Sequence, residues 1–237
     1  MTTENYSDTK EKRNNKIVVI DDQEDFVSAF VWEIEDAGYE PVPIVVDGSF
    51  EKIDELISCI PTDTYAVLCD HRLGKSGFAG LYGSDLVAAL YDKKLPALLN
   101  TQFYDMDSDV SIRKCRHKIP VLLNKDNVFA STIKEGIKSC LSELNGNFST
   151  NRKSYRNIVR IVDISKESCE DVVDVIIPSW NPNKAVRLPS SLIREWILEF
   201  EPVIGTRFIA NVNSGAKNPE DLYFTNFEVA PSPESNE

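Results

Sequence analysis

The chain has 237 residues, of which 42% are hydrophobic and 27% are charged, and its formal net charge is −12. This length is enough for one large domain or two modest ones. The negative charge is spread over the chain, with −9 in residues 1–150 and −3 in residues 151–237. Neither part has the basic field that is typical of a general nucleic-acid binder. No apolar run reaches the roughly 20 residues that are needed to cross a bilayer.

The cysteines and the first residues favour a cytoplasmic protein. The five cysteines are odd in number and none forms a C-x-x-C pair, which is typical of reduced thiols rather than of a disulfide framework. Residues 1–14 are polar and lack the apolar core of a signal peptide. We expect them to be a disordered leader.

Five apolar runs alternate with helix-like segments between residues 15 and 145. The run NKIVVIDD at residues 15–22 is rich in β-branched residues and shows no alternation, as is typical of a parallel strand buried on both faces. The segment that follows has apolar residues at helical spacing and ends near Gly38. This order predicts a doubly wound α/β domain with a five-stranded parallel sheet and helices on both faces. Further strands are predicted at residues 41–47, 65–70, 95–101 and 119–125, with a weak, polar helix at residues 105–118.

The pattern changes after a polar connection, and we place a linker at residues 146–157. Beyond it, five short strand-like runs and a helix-like segment at residues 190–200 predict a small β-rich, barrel-like domain over residues 158–230. Its aromatic residues are expected to form the core, and the alternative is a binding surface for a peptide or single-stranded nucleic acid. Residues 231–237 are expected to be a disordered tail.

Polar residues stand where the strands of the first domain end. The first strand ends in Asp21 and Asp22, the third in Asp70, the fourth in Thr101 and the fifth in Lys125. In an open α/β sheet, ligands bind beyond the carboxyl ends of the strands, so these side chains are expected to meet. Three carboxylates repel each other, and Mg²⁺, which prefers oxygen ligands, relieves that repulsion. The set predicts a carboxylate nucleophile beside a metal and two groups that bind phosphoryl oxygens.

The segment from about residue 15 to residue 145 resembles the receiver domain of two-component response regulators, through these five positions. The resemblance implies a flavodoxin-like fold and a phosphoacceptor, Asp70, which takes its phosphoryl group from a histidine kinase or a histidine phosphotransfer protein. It also implies roles for the neighbouring residues. Mg²⁺ would be held by Asp21, Asp22, Asp70 and the backbone carbonyl of Arg72, and the phosphoryl group would be bound by Thr101 and Lys125.

The chain departs from the usual receiver pattern at several positions. The residue after the threonine is usually small, but here it is Gln102, which is expected to crowd the phosphoryl pocket. The residue after the lysine is usually proline, but here it is Asp126, and Leu122 stands where a switch aromatic is expected. The loop at residues 71–83 is longer than usual and lacks the usual Met-Pro. We therefore expect this chain to differ from other receiver domains in this loop and in how phosphorylation changes its conformation.

Other functions fit parts of the sequence. An aspartate-nucleophile phosphatase also has a strand-end aspartate, but it needs a second aspartate where this chain has Arg72. The Gly-Lys-Ser at residues 74–76 lacks the earlier glycine of a phosphate loop, because that position is Cys69. The basic residues within 113–118 are expected to be a solvated helix end, or else a docking patch.

We expect a response regulator that is not an enzyme and that signals through contacts of its C-terminal domain with an unidentified protein. The alternative is a regulator that binds nucleic acid through that domain, and a phosphatase is the remote alternative. No helix-turn-helix is predicted, because only one helix-like segment follows residue 150.

Overall fold

The computed structural model describes most of the chain. The predicted leader, residues 232–237 of the predicted tail and residues 75–80 of the loop at 71–83 lie outside the described residues. No helix in the described part has the length and apolar character needed to cross a membrane. The described ranges are residues 15–48, 50–74, 81–166 and 171–231.

Contacts within the chain divide it into two compact units. The first unit runs to Tyr104 and resumes over Lys118–Asn147. The second unit comprises Asp105–His117 together with the chain from Phe148 onwards. The first unit therefore differs from the predicted range of 15–145 by the segment Asp105–His117, which groups with the second unit.

The first unit contains a five-stranded sheet whose strands are all parallel and lie in the order β2-β1-β3-β4-β5. This is the flavodoxin-like strand order, and it confirms the predicted fold class. The apolar runs form strands because both faces of the sheet are covered, so that the five residues of β1 after Lys16 are all buried. The strands are β1 (Lys16–Asp21), β2 (Glu40–Val45), β3 (Thr64–Asp70), β4 (Ala97–Thr101) and β5 (Val121–Asn124).

Two pairs of helices cover the sheet. The helices α1 (Glu24–Asp36) and α5 (Ala130–Leu144) pack together, and so do α2 (Ile53–Cys59) and α3 (Gly83–Asp92). One hydrophobic cluster joins the sheet to the first pair. Its buried members include Ile17, Val19, Phe30, Leu68, Leu98, Ile133 and Ile137.

The predicted helix at residues 105–118 forms only in part. Its regular portion is α4 (Tyr104–Asp109), and turns and a 3₁₀ turn at Arg116–Lys118 follow it. Among its basic residues, Arg113 and Arg116 are buried, with relative exposures of 1% and 2%. The expectation of a solvated basic helix end is therefore wrong for these two arginines.

The second unit contains a five-stranded antiparallel sheet in the order β10-β9-β6-β7-β8. All five predicted strands form, and the β-rich second domain is confirmed. In the described part of the chain, β10 and β8 do not pair with each other, so the sheet is open rather than a closed barrel. The elements are β6 (Tyr155–Lys166), β7 (Asp171–Ile177), β8 (Asn181–Pro189), α6 (Ser190–Arg194), β9 (Arg207–Val212) and β10 (Phe224–Val229).

The aromatic residues of the second unit mostly fill its core. Phe208 packs edge-to-face against Phe200 and Phe227, with ring centroids 5.3 and 5.8 Å apart. Phe224 stacks on Phe227 at 6.2 Å. These rings are buried, so they do not provide the surface of stacked aromatics that single-stranded nucleic acid uses.

Arg113 fastens the segment Asp105–His117 to the rest of the second unit. One guanidinium nitrogen, Nη1, donates hydrogen bonds to the carbonyl oxygens of Pro219 and Leu222, at 2.7 and 2.6 Å. The other, Nη2, lies 3.4 Å from Oδ1 of Asp109. Burial lowers the pKa of this guanidinium below its usual value, while the charge of Asp109 opposes that shift. A buried guanidinium is tolerated here because both of its terminal nitrogens meet oxygen acceptors.

Two more arginines complete this attachment. Arg116 donates to the carbonyl oxygen of Glu220 at 3.2 Å and to Oδ1 of Asp221 at 3.0 Å. Arg152 donates to the carbonyl oxygens of Arg116 and His117, at 3.0 and 2.9 Å. The predicted linker therefore carries a buried arginine that binds the segment, and β6 begins within the linker's range.

We expect Arg113→Met to destabilise the second unit by about 2–4 kcal/mol, because the part-buried carbonyl group of Pro219 and the buried carbonyl group of Leu222 lose their donor. Calorimetric unfolding of the full chain measures this loss. The matched control is Lys114→Met, the neighbouring half-buried cation, which is expected to cost less than about 1 kcal/mol. Equal stability of Arg113→Met and the wild-type chain would contradict the structural role of this arginine.

Candidate functional site

The strand ends of the first unit bring the predicted site residues together. Asp21 ends β1, Asp70 ends β3 and Thr101 ends β4, while Lys125 follows the last residue of β5. These four strands are neighbours in the sheet, in the order β1-β3-β4-β5. Each of these four residues is buried, with a relative exposure of 4% or less. Asp22, one residue beyond β1, completes the predicted set and is partly buried.

The ammonium group of Lys125 holds the centre of the site. Its Nζ lies 2.8 Å from Oδ2 of Asp21 and 3.1 Å from Oδ1 of Asp70. The same nitrogen lies 3.9 Å from the ring centroid of Phe26, which supplies a cation–π contact. Sequence reasoning predicted the lysine and both aspartates but missed Phe26, which is one of the apolar residues at helical spacing after the first strand.

Backbone N–H groups fix the orientation of the polar side chains. The N–H of Gln23 donates to Oδ1 of Asp21 at 3.0 Å, and the N–H of Arg72 donates to Oδ2 of Asp70 at 2.9 Å. Each bond spans two residues, as in the turns that aspartate side chains form with the following backbone. The second oxygen of each carboxylate is the one that lies near Lys125.

Burial governs the charge of the two aspartates. It raises the pKa of Asp70 to about 6, with Lys125 opposing the rise and the charge of Asp21 adding to it. Burial also raises the pKa of Asp21, against the opposing effect of Lys125. One ammonium group therefore does not fully offset the cost of desolvating two carboxylates. A further cation at the site would favour the ionised forms of both.

The donor set fits Mg²⁺. Each of Asp21, Asp22 and Asp70 offers a carboxylate oxygen, and these oxygens lie within 4.8 Å of one another. Oδ1 of Asp22 is buried and has no hydrogen-bond partner in the described residues. A buried oxygen of this kind is costly unless a cation or water occupies the site, and oxygen ligands suit Mg²⁺. The predicted carbonyl ligand, Arg72, lies beside Asp70, and its metal role remains a prediction.

A cleft of about 180 Å³ opens onto these groups. Asp70, Thr101 and Lys125 line it together with two residues that sequence reasoning did not assign to the site, Phe103 and the side chain of Arg72. The Arg72 guanidinium carbon lies 4.2 Å from the ring centroid of Phe103, in a cation–π contact. The sequence gives no periodic pattern for this pair, because Arg72 and Phe103 each lie in an irregular loop, two residues after Asp70 and Thr101.

Thr101 is connected to the chain that leaves the site. Its hydroxyl oxygen accepts a hydrogen bond from the N–H of Phe103 at 3.1 Å. Gln102 is exposed and lines the cleft, where it was predicted to crowd the pocket. Leu122 is a half-buried residue of β5, so no aromatic stands at the position where one was expected.

The described ends of the long loop, residues 71–74 and 81–83, contact each other close to Asp70. Arg72 and Tyr82 form an isolated antiparallel bridge, and the His71 ring stacks on Tyr82 with centroids 5.2 Å apart. A Cβ atom on Gly83 would lie 1.9 Å from the carbonyl oxygen of Asp70. The first residue of α3 must therefore be glycine for the helix to begin this close to the site.

No protein-family model matches the chain, and no curated protein matches it. Solved structures similar to part of it include three that are described as response regulators or their receiver domains. A response regulator receiver domain protein from Clostridium thermocellum is 18% identical, with 55% of this chain and 96% of that one covered and a TM-score of 0.41. The N-terminal domain of a response regulator/sensory box/GGDEF three-domain protein from Carboxydothermus hydrogenoformans is 14% identical, with 56% and 98% covered and a TM-score of 0.42. A response regulator receiver protein from Pseudoalteromonas atlantica is 14% identical, with 54% and 98% covered and a TM-score of 0.38.

We expect Asp70→Asn to stabilise the metal-free chain at pH 7 by about 1–2 kcal/mol. A pKa raised by about two units corresponds to at most about 3 kcal/mol, a figure that already includes the favourable effect of Lys125, and solvent access through the cleft reduces it. The folded chain binds the Asp70 proton more tightly than the unfolded chain, so wild-type stability falls as the pH rises from about 4 to about 6. Urea denaturation in a chelator at pH 4 and pH 7 measures the difference, which should vanish at pH 4.

The control for this experiment is Asp126→Asn, which changes an exposed carboxylate beside the same lysine and should leave stability unchanged. A variant Asp70→Asn that is less stable than the wild-type chain at pH 7 without metal would contradict the electrostatic account of the site.

Proposed function

We propose that this chain is a cytoplasmic two-component response regulator whose phosphoacceptor is Asp70. The observation that carries the proposal is a buried, hydrogen-bonded carboxylate at the mouth of a cleft, with Lys125 and Thr101 beside it. The phosphoryl donor is a phosphohistidine of a histidine kinase or a histidine phosphotransfer protein. The order of the strand ends and the chemistry of the five predicted residues support this assignment.

The proposed reaction is a phosphoryl transfer between two side chains. A carboxylate oxygen of Asp70 attacks the phosphorus, and the phosphorus–nitrogen bond of the phosphohistidine breaks. The imidazole nitrogen leaves with the electron pair, and the aspartate becomes an acyl phosphate. Such transfers depend mainly on positioning and on charge stabilisation, which the N–H of Arg72 and the ammonium group of Lys125 provide at the two oxygens of Asp70.

The residues that would hold Mg²⁺ are Asp21, Asp22, Asp70 and the carbonyl group of Arg72. When bound, the ion supplies charge neutralisation for the phosphoryl oxygens. Lys125 is already within 3.1 Å of Asp70 and would pair with a phosphoryl oxygen after the transfer. Thr101 lines the same cleft and has a hydroxyl group that can donate to another phosphoryl oxygen.

A phosphatase is the less well supported alternative. An enzyme that turns over a phosphomonoester needs an acid that protonates the leaving oxygen, and the residue two positions after Asp70 is Arg72. A guanidinium group keeps its proton throughout the physiological pH range and is a poor general acid. We therefore propose that the only reactions at the site are the phosphorylation of Asp70 and its hydrolytic reversal.

We expect the full chain to gain one phosphoryl group when it is incubated with acetyl phosphate and Mg²⁺, as measured by intact mass. Asp70→Asn should gain none, because the amide is not a nucleophile of this kind, and Asp126→Asn should gain as much as the wild-type chain. A chelator should slow the reaction strongly, because the carboxylates then repel the donor. Phosphorylation of Asp70→Asn at the wild-type level would refute the proposed function.

The route to output that we propose is the segment Asp105–His117. The chain leaves the first unit three residues after Gln102 and enters a segment that Arg113 and Arg116 fasten within the second unit. The Thr101 hydroxyl currently accepts the N–H of Phe103. When this hydroxyl turns to the phosphoryl group, the N–H of Phe103, two residues before that segment, loses its acceptor, and the start of the segment is then free to move.

We expect phosphorylation to change amide hydrogen exchange within residues 105–117 and 219–223 of the full chain. The reason is that these two stretches are joined by the Arg113 and Arg116 hydrogen bonds. Thr101→Ala should accept the phosphoryl group but lose this change, and α2, which lies outside the route, should show no change in either protein. A change confined to residues 70–74 and 101–103 would contradict this route to output.

A further inference from the structure

Phe26 lies beside the site at the strand ends and is fixed there by the core of the first unit. It is the third residue of α1, and its side chain is partly buried. Its ring stacks on that of Phe30, about one helical turn later, with centroids 6.1 Å apart. Phe30 is a buried member of the hydrophobic cluster that joins α1 to the sheet. The core therefore sets the position of the Phe26 ring.

The ammonium group of Lys125 has three N–H donors and three partners. Two partners are carboxylate oxygens, of Asp21 at 2.8 Å and of Asp70 at 3.1 Å. The third is the face of the Phe26 ring, whose centroid lies 3.9 Å from Nζ. The described residues give this nitrogen no further ion pair or hydrogen bond. The ring thus takes the place of a third hydrogen-bond acceptor.

One of the three partners of Lys125 lines the cleft, and the other two do not. Asp70 and Lys125 are lining residues, whereas Asp21 and Phe26 are absent from the described residues that line the cleft. The ammonium group is therefore held by two partners outside the cleft and by one inside it. A phosphoryl group that enters the cleft can replace the Asp70 oxygen as its partner, while Asp21 and Phe26 keep the ammonium group in place.

An aromatic ring suits this position better than a polar side chain does. A further carboxylate would add negative charge near Asp70, whose ionised form is already disfavoured by burial. A hydroxyl or amide oxygen would accept a hydrogen bond from the ammonium group and compete with the phosphoryl oxygens for it. A ring face attracts a cation through its quadrupole and carries no net charge. This attraction is strongest where water is excluded, and Lys125 is buried.

We propose that Phe26 is a positioning residue for the phosphoryl transfer, and that it acts by holding the ammonium group of Lys125 beside Asp70. This role rests on the proposed function, and it belongs to a residue to which the resemblance to receiver domains assigns none. The ring does not line the cleft, so it acts on the reaction through Lys125. Weakening the attraction between ring and cation should slow the transfer, although the hydrogen bonds and ion pairs of the site remain.

The test is a series of phenylalanines with one, two or three fluorine atoms, placed at position 26 of the full chain by nonsense suppression. Each fluorine withdraws electrons from the ring face and weakens its attraction for a cation, with little change in the shape of the ring. The rate of phosphorylation by acetyl phosphate and Mg²⁺ should fall stepwise, and three fluorines should slow it about tenfold.

Conventional variants complete the series. Phe26→Tyr keeps the ring face and should react at nearly the wild-type rate. Phe26→Leu keeps an apolar side chain without a ring face, and it should be as slow as the trifluorinated chain. The matched control is three fluorines on Phe129, a half-exposed ring of the same unit that makes no cation–π contact with a described residue. This control should leave the rate unchanged.

Nuclear magnetic resonance of the unphosphorylated, metal-free chain provides a readout that does not depend on the reaction. The ring current of Phe26 should shift the ε protons of Lys125 upfield of those of the exposed Lys134 and Lys138. Phe26→Leu should remove this shift, and Phe26→Tyr should retain it. Lys125 protons without an upfield shift in the wild-type chain would overturn the proposal, whatever the rates.

The rates separate this proposal from the proposed function. A wild-type chain that is phosphorylated at a rate unaffected by fluorines at position 26 would overturn the role of Phe26 and leave the proposed function intact. Equal slowing by fluorines at Phe129 would also overturn that role. A wild-type chain that gains no phosphoryl group would refute the proposed function, and the role of Phe26 in the transfer would fail with it.

Discussion

The ammonium group of Lys125, shared by two buried carboxylates, is the interaction on which the site depends. It makes it possible for Asp21 and Asp70 to be buried at the edge of the sheet within reach of one another. Without it, burial would drive both carboxyl groups to their neutral forms. The compensation is incomplete, as the raised pKa of Asp70 indicates. A further positive charge at this site would therefore stabilise the ionised carboxylates, and a divalent cation would supply it.

The same edge of the sheet is also where the chain leaves the first unit. In the usual doubly wound fold the connection between β4 and β5 covers the sheet with a helix. Here that connection contains only the six-residue helix α4, and two of its arginines, Arg113 and Arg116, are buried. Arg113 donates hydrogen bonds to carbonyl groups more than 100 positions later in the chain. The second unit is thus discontinuous, and its first segment begins four residues after Thr101. The two units are therefore joined through the backbone between Tyr104 and Asp105.

Sequence reasoning located the strands and the residues at their ends because both are local signals. A β-branched run that stops at a charged residue is visible in the sequence, and the order of five such runs is enough to place Asp21, Asp70, Thr101 and Lys125 at one edge. The contacts that it missed are not local. The carbonyl partners of Arg113 and Arg116 lie about 100 residues later in the chain, so the local sequence does not indicate them. The run of basic residues therefore predicted a solvated helix end, although both arginine side chains are buried. Likewise, Phe26 has the pattern of a core residue of α1, and nothing in its spacing indicates the ammonium group above its ring.

Reduction with sodium borohydride tests most directly whether Asp70 itself carries the phosphoryl group, as we propose. Borohydride converts an acyl phosphate to the corresponding alcohol, so a phosphorylated aspartate becomes homoserine. After incubation of the full chain with acetyl phosphate and Mg²⁺, peptide mapping by mass spectrometry should find homoserine at position 70 and retain aspartate at positions 21, 22 and 126. Homoserine at position 21 or 22, or its absence from the peptide that contains residue 70, would contradict the account.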